Sequence, residues 1–340
     1  MKKYLISALY LFFLLPSFSS LAQDLFSSQE ALPVRMKFSV KELKKTTNDS
    51  TYSDQVLWYQ DEKGNWDSLE VELRTRGNFR LDNCYYPPLR LKIKKKKREG
   101  TPFQGHKHLK VVLPCTKVKN ANGYVAKELL CYKLYEQVTP YSFQTRMIQV
   151  EMENLDDKKG EKEQLLGFLI EDDDKIADRF GGEIVKDVKI HPNFMLDTAS
   201  LRHDFFQFLI GNTDFSSMFR HNEKILKVGE NAVLPLPYDF DMTGLVNPPY
   251  AQVSNLVDIE HVTDRLYRGY CRDPELMEYM RQEFLDKEDQ IWQVVQNMSV
   301  YMDESDQKSC TRFIGDFFRI MKDDFQFQRM VMKACLTGTS

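Results

Sequence analysis

The stretch Gly123–Val138, GYVAKELLCYKLYEQV, decides how the rest of the chain is read. Gly123 opens a helix over about Tyr124–Val138 that carries Lys127, Glu128, Leu129, Leu130, Leu134 and Tyr135. Pro140 stops it, because proline has no N–H to continue the ladder. Strand patterns flank it on both sides. Val34–Val40 and Ser68–Leu73 alternate apolar and polar residues, and Leu89, Leu91 and Ile93 share one strand face opposite Arg90 and Lys92. His108–Leu113 is a further strand, ended by Pro114. After the helix come strands at Gln144–Glu153 and Gln164–Ile170, joined by the polar turn Asp156–Gly160. Beyond Asp197 the pattern turns helical, at Thr198–Ile210, Pro274–Gln296 and Ser305–Ala334. The expected class is α+β. A small β-rich lobe with one helix (residues 23–175) would join a larger, mainly helical lobe (residues 176–340), and the cleft between them would hold a ligand.

Composition narrows the function. The chain has 340 residues, 42% hydrophobic and 29% charged, with a net charge of −3. It is therefore neither collagen-like nor disordered, and it is no cationic nucleic-acid binder. The basic run Lys94–Arg98 lacks interleaved aromatics and reads as a solvated turn at a strand end. Lys2 and Lys3, the apolar run Leu5–Leu15 and Ser20-Leu21-Ala22 form a signal-peptide pattern over residues 1–22, with cleavage expected after Ala22. The mature chain is expected to be exported (periplasmic, cell-surface or secreted) and to have no transmembrane segment. Six cysteines permit disulfides in such a compartment, while their spacing argues against structural zinc. Cys84 with Cys115 is the favoured bridge, and Cys131, inside the helix, is expected to be a free core thiol. His106 and His108 are expected at the surface. The acidic run Glu171–Asp174 is expected to be a solvated loop between the lobes, since it lacks the glycine-bearing spacing of a calcium loop.

Two polar clusters in apolar surroundings carry the chemistry. The first is Gly211-Asn212-Thr213-Asp214, followed by Arg220-His221-Asn222. The second is Leu234-Pro235-Leu236-Pro237-Tyr238-Asp239-Phe240-Asp241, where an apolar run delivers two carboxylates to its end. Magnesium prefers oxygen ligands and usually takes one or two carboxylates plus substrate phosphates. Phosphoryl transfer asks for one Asp to orient the acceptor, and for an Asn and a second Asp to hold the metal. No GxSxG or HExxH occurs, so neither a nucleophile elbow nor that zinc-protease helix is present.

The ordered series resembles the CotH-type spore-coat kinases and their secreted relatives, a family with an atypical protein-kinase-like fold. The matching elements are Arg74-Thr75-Arg76-Gly77-Asn78, Leu89-Arg90-Leu91-Lys92, the helix with Lys127-Glu128-Leu129-Leu130, Gly167-Phe168-Leu169-Ile170-Glu171, and the two polar clusters. The resemblance covers roughly residues 70–245 and implies a bilobal kinase-like fold. By position it implies Asp214 as the catalytic Asp, and Asn222, Asp239 and Asp241 as magnesium ligands. Arg76 and Asn78 would lie over the phosphates, where no glycine-rich loop is present. Lys92 or Lys110 would contact phosphate and pair with Glu128, and Glu171 would sit near the adenine. Asn222 lies eight positions after Asp214, which leaves open a loop insertion or a structural role for the Asn. The implied activity is an exported phosphotransferase that uses magnesium and ATP on a protein hydroxyl. The alternative is an inactive secreted or envelope binding protein that keeps the fold.

Overall fold

A computed structural model describes residues 24–77, 79–186, 188–255 and 257–338. The signal-peptide reading and Asn78 lie outside the described residues. The chain begins with β1 (Leu32–Phe38), α1 (Val40–Thr46), β2 (Ser53–Gln60) and β3 (Trp66–Thr75). The β2–β3 hairpin turns at Asp61–Asn65, where Gly64 adopts φ +79° and Asp61 Oδ1 accepts from the Lys63 and Asn65 N–H groups at 2.9 and 2.8 Å. Next come α2 (Phe79–Asn83), β4 (Leu89–Lys92), α3 (Lys95–Arg98), β5 (His108–Val112), α4 (Ala121–Val138), β6 (Thr145–Asn154) and β7 (Lys162–Glu171).

These seven strands close into one barrel in the order β1-β2-β3-β4-β5-β7-β6. Closure is made by β1 running parallel to β6, Leu32 opposite Ile148 through Phe38 opposite Asn154, while the other neighbours are antiparallel. Alternate residues fill the interior, among them Val34, Met36, Leu57, Leu69, Val71, Leu89, Leu91, Leu109, Val111, Val150 and Leu169. Each such side chain contributes about 1.5–3 kcal/mol by leaving water.

The remaining elements are α5 (Asp173–Arg179), β8 (Gly182–Ile184), α6 (Asp197–Ile210), β9 (Glu223–Val228), β10 (Ala232–Pro237), α7 (Pro274–Asp286), α8 (Glu288–Met298), α9 (Glu304–Lys322) and α10 (Asp324–Phe327). The last three strands form a separate sheet, β10-β9-β8. A second core joins Val112, Met147, Phe168 and Ile170 on the outside of the barrel to α4, α6, the separate sheet and the C-terminal helices. Helix α4 lies within it and is buried nearly all round. A Cβ at Gly123 would stand 2.1 Å from Asp306 Oδ2 and 2.4 Å from Asn120 Oδ1, so those two side chains would have to shift.

This architecture overturns the expected bilobal kinase-like fold: it is a closed seven-stranded mixed barrel, a separate three-stranded sheet and ten α-helices among the described residues. The reason is topological. Parallel pairing of β1 with β6 joins segments more than a hundred residues apart and removes the sheet's free edges, and no local periodicity announces it.

Smaller expectations fared unevenly. Cys84–Cys115 is a disulfide, as is Cys271–Cys335, while Cys131 and Cys310 are buried free thiols. His106 is only 3% exposed, held 3.1 Å from Asp24 Oδ2 and edge-on to Phe26, rather than at the surface. Glu171 and Asp172 are buried in ion pairs with Arg179 and Arg90, and Asp173 pairs with Lys110, so the acidic run is no solvated loop. The helix expected over 274–296 breaks at Lys287, and that over 305–334 breaks at Asp323, whose carboxylate caps α10. No helix among the described residues is long and apolar enough to cross a membrane.

Candidate functional site

Asp214 stands on the loop after α6. The helix ends at Gly211, whose φ of +62° is the left-handed conformation of a C-terminal cap. Asn212 then turns the chain: its Oδ1 accepts from the Asp214 N–H at 2.9 Å. The loop doubles back through paired Ser216 and His221, so the longer spacing between Asp214 and Asn222 is taken up by a small closed excursion. Asn222 thereby returns to Asp214. Its Nδ2 donates to the Asp214 backbone oxygen at 2.8 Å and to Oδ2 at 2.9 Å, while His221 Nε2 lies 2.8 Å from Oδ1. Both Asn222 amide hydrogens are thus directed to Asp214, which leaves Oδ1 as the atom able to accept from, or ligate, something else.

The β9–β10 hairpin carries the second cluster to the same place. Tyr238 N–H donates to the Asn222 backbone oxygen at 3.0 Å, and the Asp239 N–H donates to the Tyr132 hydroxyl of α4 at 2.9 Å. Phe240 packs inward against Tyr132 and Phe206, so its neighbours Asp239 and Asp241 are displayed on either side of an apolar anchor. Gly244 and Leu245 N–H groups donate to Gly211 and Ile210, clamping this loop to the end of α6. Arg220, Asn222 and Asp239 have φ of +54°, +54° and +63°. Such conformations cost non-glycine residues about 1–3 kcal/mol each at most sites, less for Asn and Asp, and they concentrate where function constrains the backbone.

Asp214, Asn222, Asp239, Asp241, Arg76, Arg80, Arg220, His221 and Tyr238 line one cavity of about 310 Å³. Its floor holds a residue that sequence reasoning missed. Arg80, on the five-residue helix α2, is 5% exposed. Its Nη1 donates to Glu128 Oε2 at 3.3 Å and lies 3.8 Å from Asp239 Oδ1, its Nε lies 3.7 Å from Asp241 Oδ2, and its Nη2 donates to the Leu113 oxygen at 3.2 Å. Burial works against the guanidinium charge, but the Glu128 and Asp241 carboxylates outweigh it. Burial pushes the carboxyls of Glu128 and Asp241 upward, against the pull of Arg80. Arg80 Nε, Glu128 Oε1 and Asp241 Oδ2 are buried without hydrogen-bond partners. Of these, Arg80 Nε and Asp241 Oδ2 stand 3.7 Å apart on residues that line the cavity, where a polar guest can satisfy both.

Beneath the loop runs a buried chain of polar side chains. Asn212 Nδ2 donates to Gln207 Oε1 at 2.9 Å, and the Gln207 amide lies 3.0 Å from His203 Nε2. His203 is fully buried between Asp204 Oδ1 at 3.0 Å and Glu223 Oε1 at 2.5 Å. Burial disfavours the imidazolium, but these carboxylates outweigh it and hold the His203 pKa at about 10. Since Glu223 adjoins Asn222, the chain ties both ends of the loop together. Arg268 adds support from outside by donating to the Thr213 and Phe215 oxygens.

Other expected site residues are placed elsewhere. Lys92 points off the barrel to Glu72 at 2.7 Å, beside the Tyr52 ring. Lys110 is buried against Asp173, Phe143 and Tyr238. Burial lowers its pKa, while Asp173, where burial opposes but Lys110 and Lys224 prevail, is held at about 2. Neither lysine pairs with Glu128; Arg80 does. Glu171 accepts from Arg179 and from the Gln144 N–H at 2.9 Å, which commits it to the fold. Arg76 lines the cavity, and no carboxylate among the described residues comes within ion-pair distance of it.

Among the described residues no three His, Cys, Asp or Glu side chains are grouped closely enough to hold a metal by themselves. The donor set is hard oxygen, from Asn222, Asp239 and Asp241, with guanidinium groups beside it. That suits a magnesium ion sharing its coordination with phosphate oxygens better than a metal caged by protein alone. No family model matches the chain, and no curated protein shows significant similarity to it.

Proposed function

We propose that this protein is an exported, magnesium-dependent phosphotransferase that moves a phosphoryl group from a nucleotide, ATP in the first instance, to a polypeptide hydroxyl. The observation that carries this reading is the shared cavity. Asp214, Asn222, Asp239 and Asp241, drawn from two loops, meet there with Arg76 and Arg80. The resemblance to CotH-type kinases supports the same chemistry through those residues alone, without the fold it implied. Two disulfides support an oxidising compartment outside the cytoplasm.

In this reading Asn222 Oδ1 and the Asp239 carboxylate would hold the magnesium, with Asp241 beside them. The metal, when bound, neutralises charge on the phosphates. Arg76 at the rim and Arg80 on the floor face the phosphate oxygens, where fixed cations in a water-poor site act most strongly. Asp214 orients the acceptor hydroxyl and takes its proton, while Asn222 and His221 fix the carboxylate's direction. A non-catalytic nucleotide-binding protein is the competing reading. It is favoured by the absorption of Lys92 and Lys110 into ion pairs with Glu72 and Asp173, so that neither lysine lines the cavity.

The test is a calorimetric titration of the chain with Mg-ADP and Mg-ATP, followed by transfer of labelled phosphate. Asp239→Asn should abolish magnesium-dependent binding and leave the unfolding midpoint nearly unchanged, because this carboxylate is 31% exposed and its nearest cation is 3.8 Å away. Undiminished magnesium-dependent transfer by that variant would refute the assignment. Binding without transfer would select the competing reading.

A further inference from the structure

Next to the cavity the surface is apolar and cationic in a chain whose net charge is −3. Phe219, at the tip of the loop between Asp214 and Asn222, is 61% exposed. The segment before α6 adds Val188 at 52%, Phe194 at 79% and Leu196 at 46%. Apolar side chains this open need a reason when they cluster. The two stretches are adjacent: the Lys189 ammonium lies 4.7 Å from the Phe219 ring centre, and Pro192 and Met218 line one small recess. No Asp or Glu among the described residues comes within ion-pair distance of Lys186, Lys189 or Arg220.

We propose that this face docks the acceptor polypeptide, and that it selects an acidic segment whose aromatic or aliphatic side chains flank the reacting hydroxyl. The inference rests on the phosphotransfer reading and adds the acceptor class to it. Three cations with no carboxylate partner among the described residues call for carboxylates in the docked chain, and the exposed rings call for apolar side chains. Arg220 and His221 line the cavity as well, so the face is continuous with the site. An extended segment lying over Phe219 can reach Asp214, which is joined to His221 at 2.8 Å. A lipid bilayer would find the same charges and rings, so vesicles are one arm of the test.

The experiment uses the full chain and three probes: labelled poly(Glu,Tyr) copolymer, poly(Lys,Tyr) copolymer, and vesicles of phosphatidylcholine with phosphatidylserine. Fluorescence anisotropy should show poly(Glu,Tyr) binding that weakens as salt is raised. The double variant Phe194→Ser/Phe219→Ser should weaken that binding about tenfold or more, the usual size of losing interface aromatics, while Mg-ADP affinity stays unchanged. Equal binding by the variant, or equal binding of poly(Lys,Tyr), would overturn the proposal. So would vesicle binding that follows the substitutions while copolymer binding does not, which would assign the face to membranes. If the copolymer result holds but Mg-ADP does not bind, the docking face stands and the phosphotransfer reading falls.

Discussion

Replacing Arg80 with methionine tests whether the floor of the cavity is held by charge. Methionine fills much of the same volume but leaves Glu128 and Asp241 facing each other with no cation between them. All three groups are buried: the side chains of Arg80, Glu128 and Asp241 are 6%, 3% and 5% exposed, so solvent screens none of them. Removing one partner from a buried charge set costs about 3–5 kcal/mol. The loss should depend on pH in a definite sense. Both carboxyls are already raised by burial, so each is most compatible with the fold when protonated and becomes less so as pH rises through its folded-state value. Without the guanidinium those values rise further. The stability gap between the native chain and Arg80→Met, read at about pH 5 and about pH 9, should therefore widen as pH rises past about 6, where Asp241 ionises in the native chain, and past about 8 for Glu128, by no more than about 1.4 kcal/mol per pH unit for each carboxyl. Urea unfolding followed by tryptophan fluorescence reads this directly, since Trp58 and Trp66 report on the barrel and Trp292 on the helical part. Arg80→Lys, which keeps the charge but not the fork, should fall between the two. A gap below about 1 kcal/mol at both pH values, or one that widens in acid, would refute the electrostatic account.

The two disulfides should separate stability from binding. They close loops with sequence separations of 31 and 64, so losing Cys271–Cys335 should destabilise slightly more, about 4.3 against about 3.7 kcal/mol by loop entropy. Only Cys84→Ser/Cys115→Ser should also weaken Mg-ADP binding, because Cys84 follows directly on the helix that carries Arg80; equal effects of both pairs on binding would contradict this. For His203, a folded-state pKa of about 10 against an ordinary 6.5 means that its contribution is complete below 6.5 and lost as pH rises toward 10. Urea midpoints of the native chain should therefore fall over that range relative to His203→Gln, and parallel curves would show the buried carboxylates do not hold it charged.

Much of the local structure was legible, because strand alternation and helix termini are short-range. Leu89 and Leu91 do face the barrel interior opposite Arg90 and Lys92, and α4 spans nearly the segment expected of it. Strand β2 was not legible: Ser53–Val56 opens with three polar residues and shows no alternation that a local reading could use. The barrel itself was beyond reach for a different reason. Its closing contact joins Val34 to Val150, and that pairing is decided by global packing.

The site divides along the same line. Asp214, Asn222 and Asp239 could be singled out as candidates because Asn and Asp after a helix or hairpin announce loops, and Asn222 and Asp239 do take left-handed conformations there. The choice of cation could not be read from motif order, since Lys92 and Lys110 both stood on plausible strands. Two features of the fold nevertheless point to Arg80, and one of them, the Cys84–Cys115 bridge, was already expected from the sequence. Lys110 lies between Leu109 and Val111, which face the barrel interior, so its own side chain emerges on the outer face, where a second apolar layer leaves it dependent on a nearby carboxylate. The Cys84–Cys115 bridge draws residues 79–83 to the end of β5, next to the start of α4, and Arg80 is the cation among those residues that can reach Glu128. Covalent constraint, rather than motif spacing, therefore selects the cation, because the bridge fixes where a short helix without an apolar face must lie.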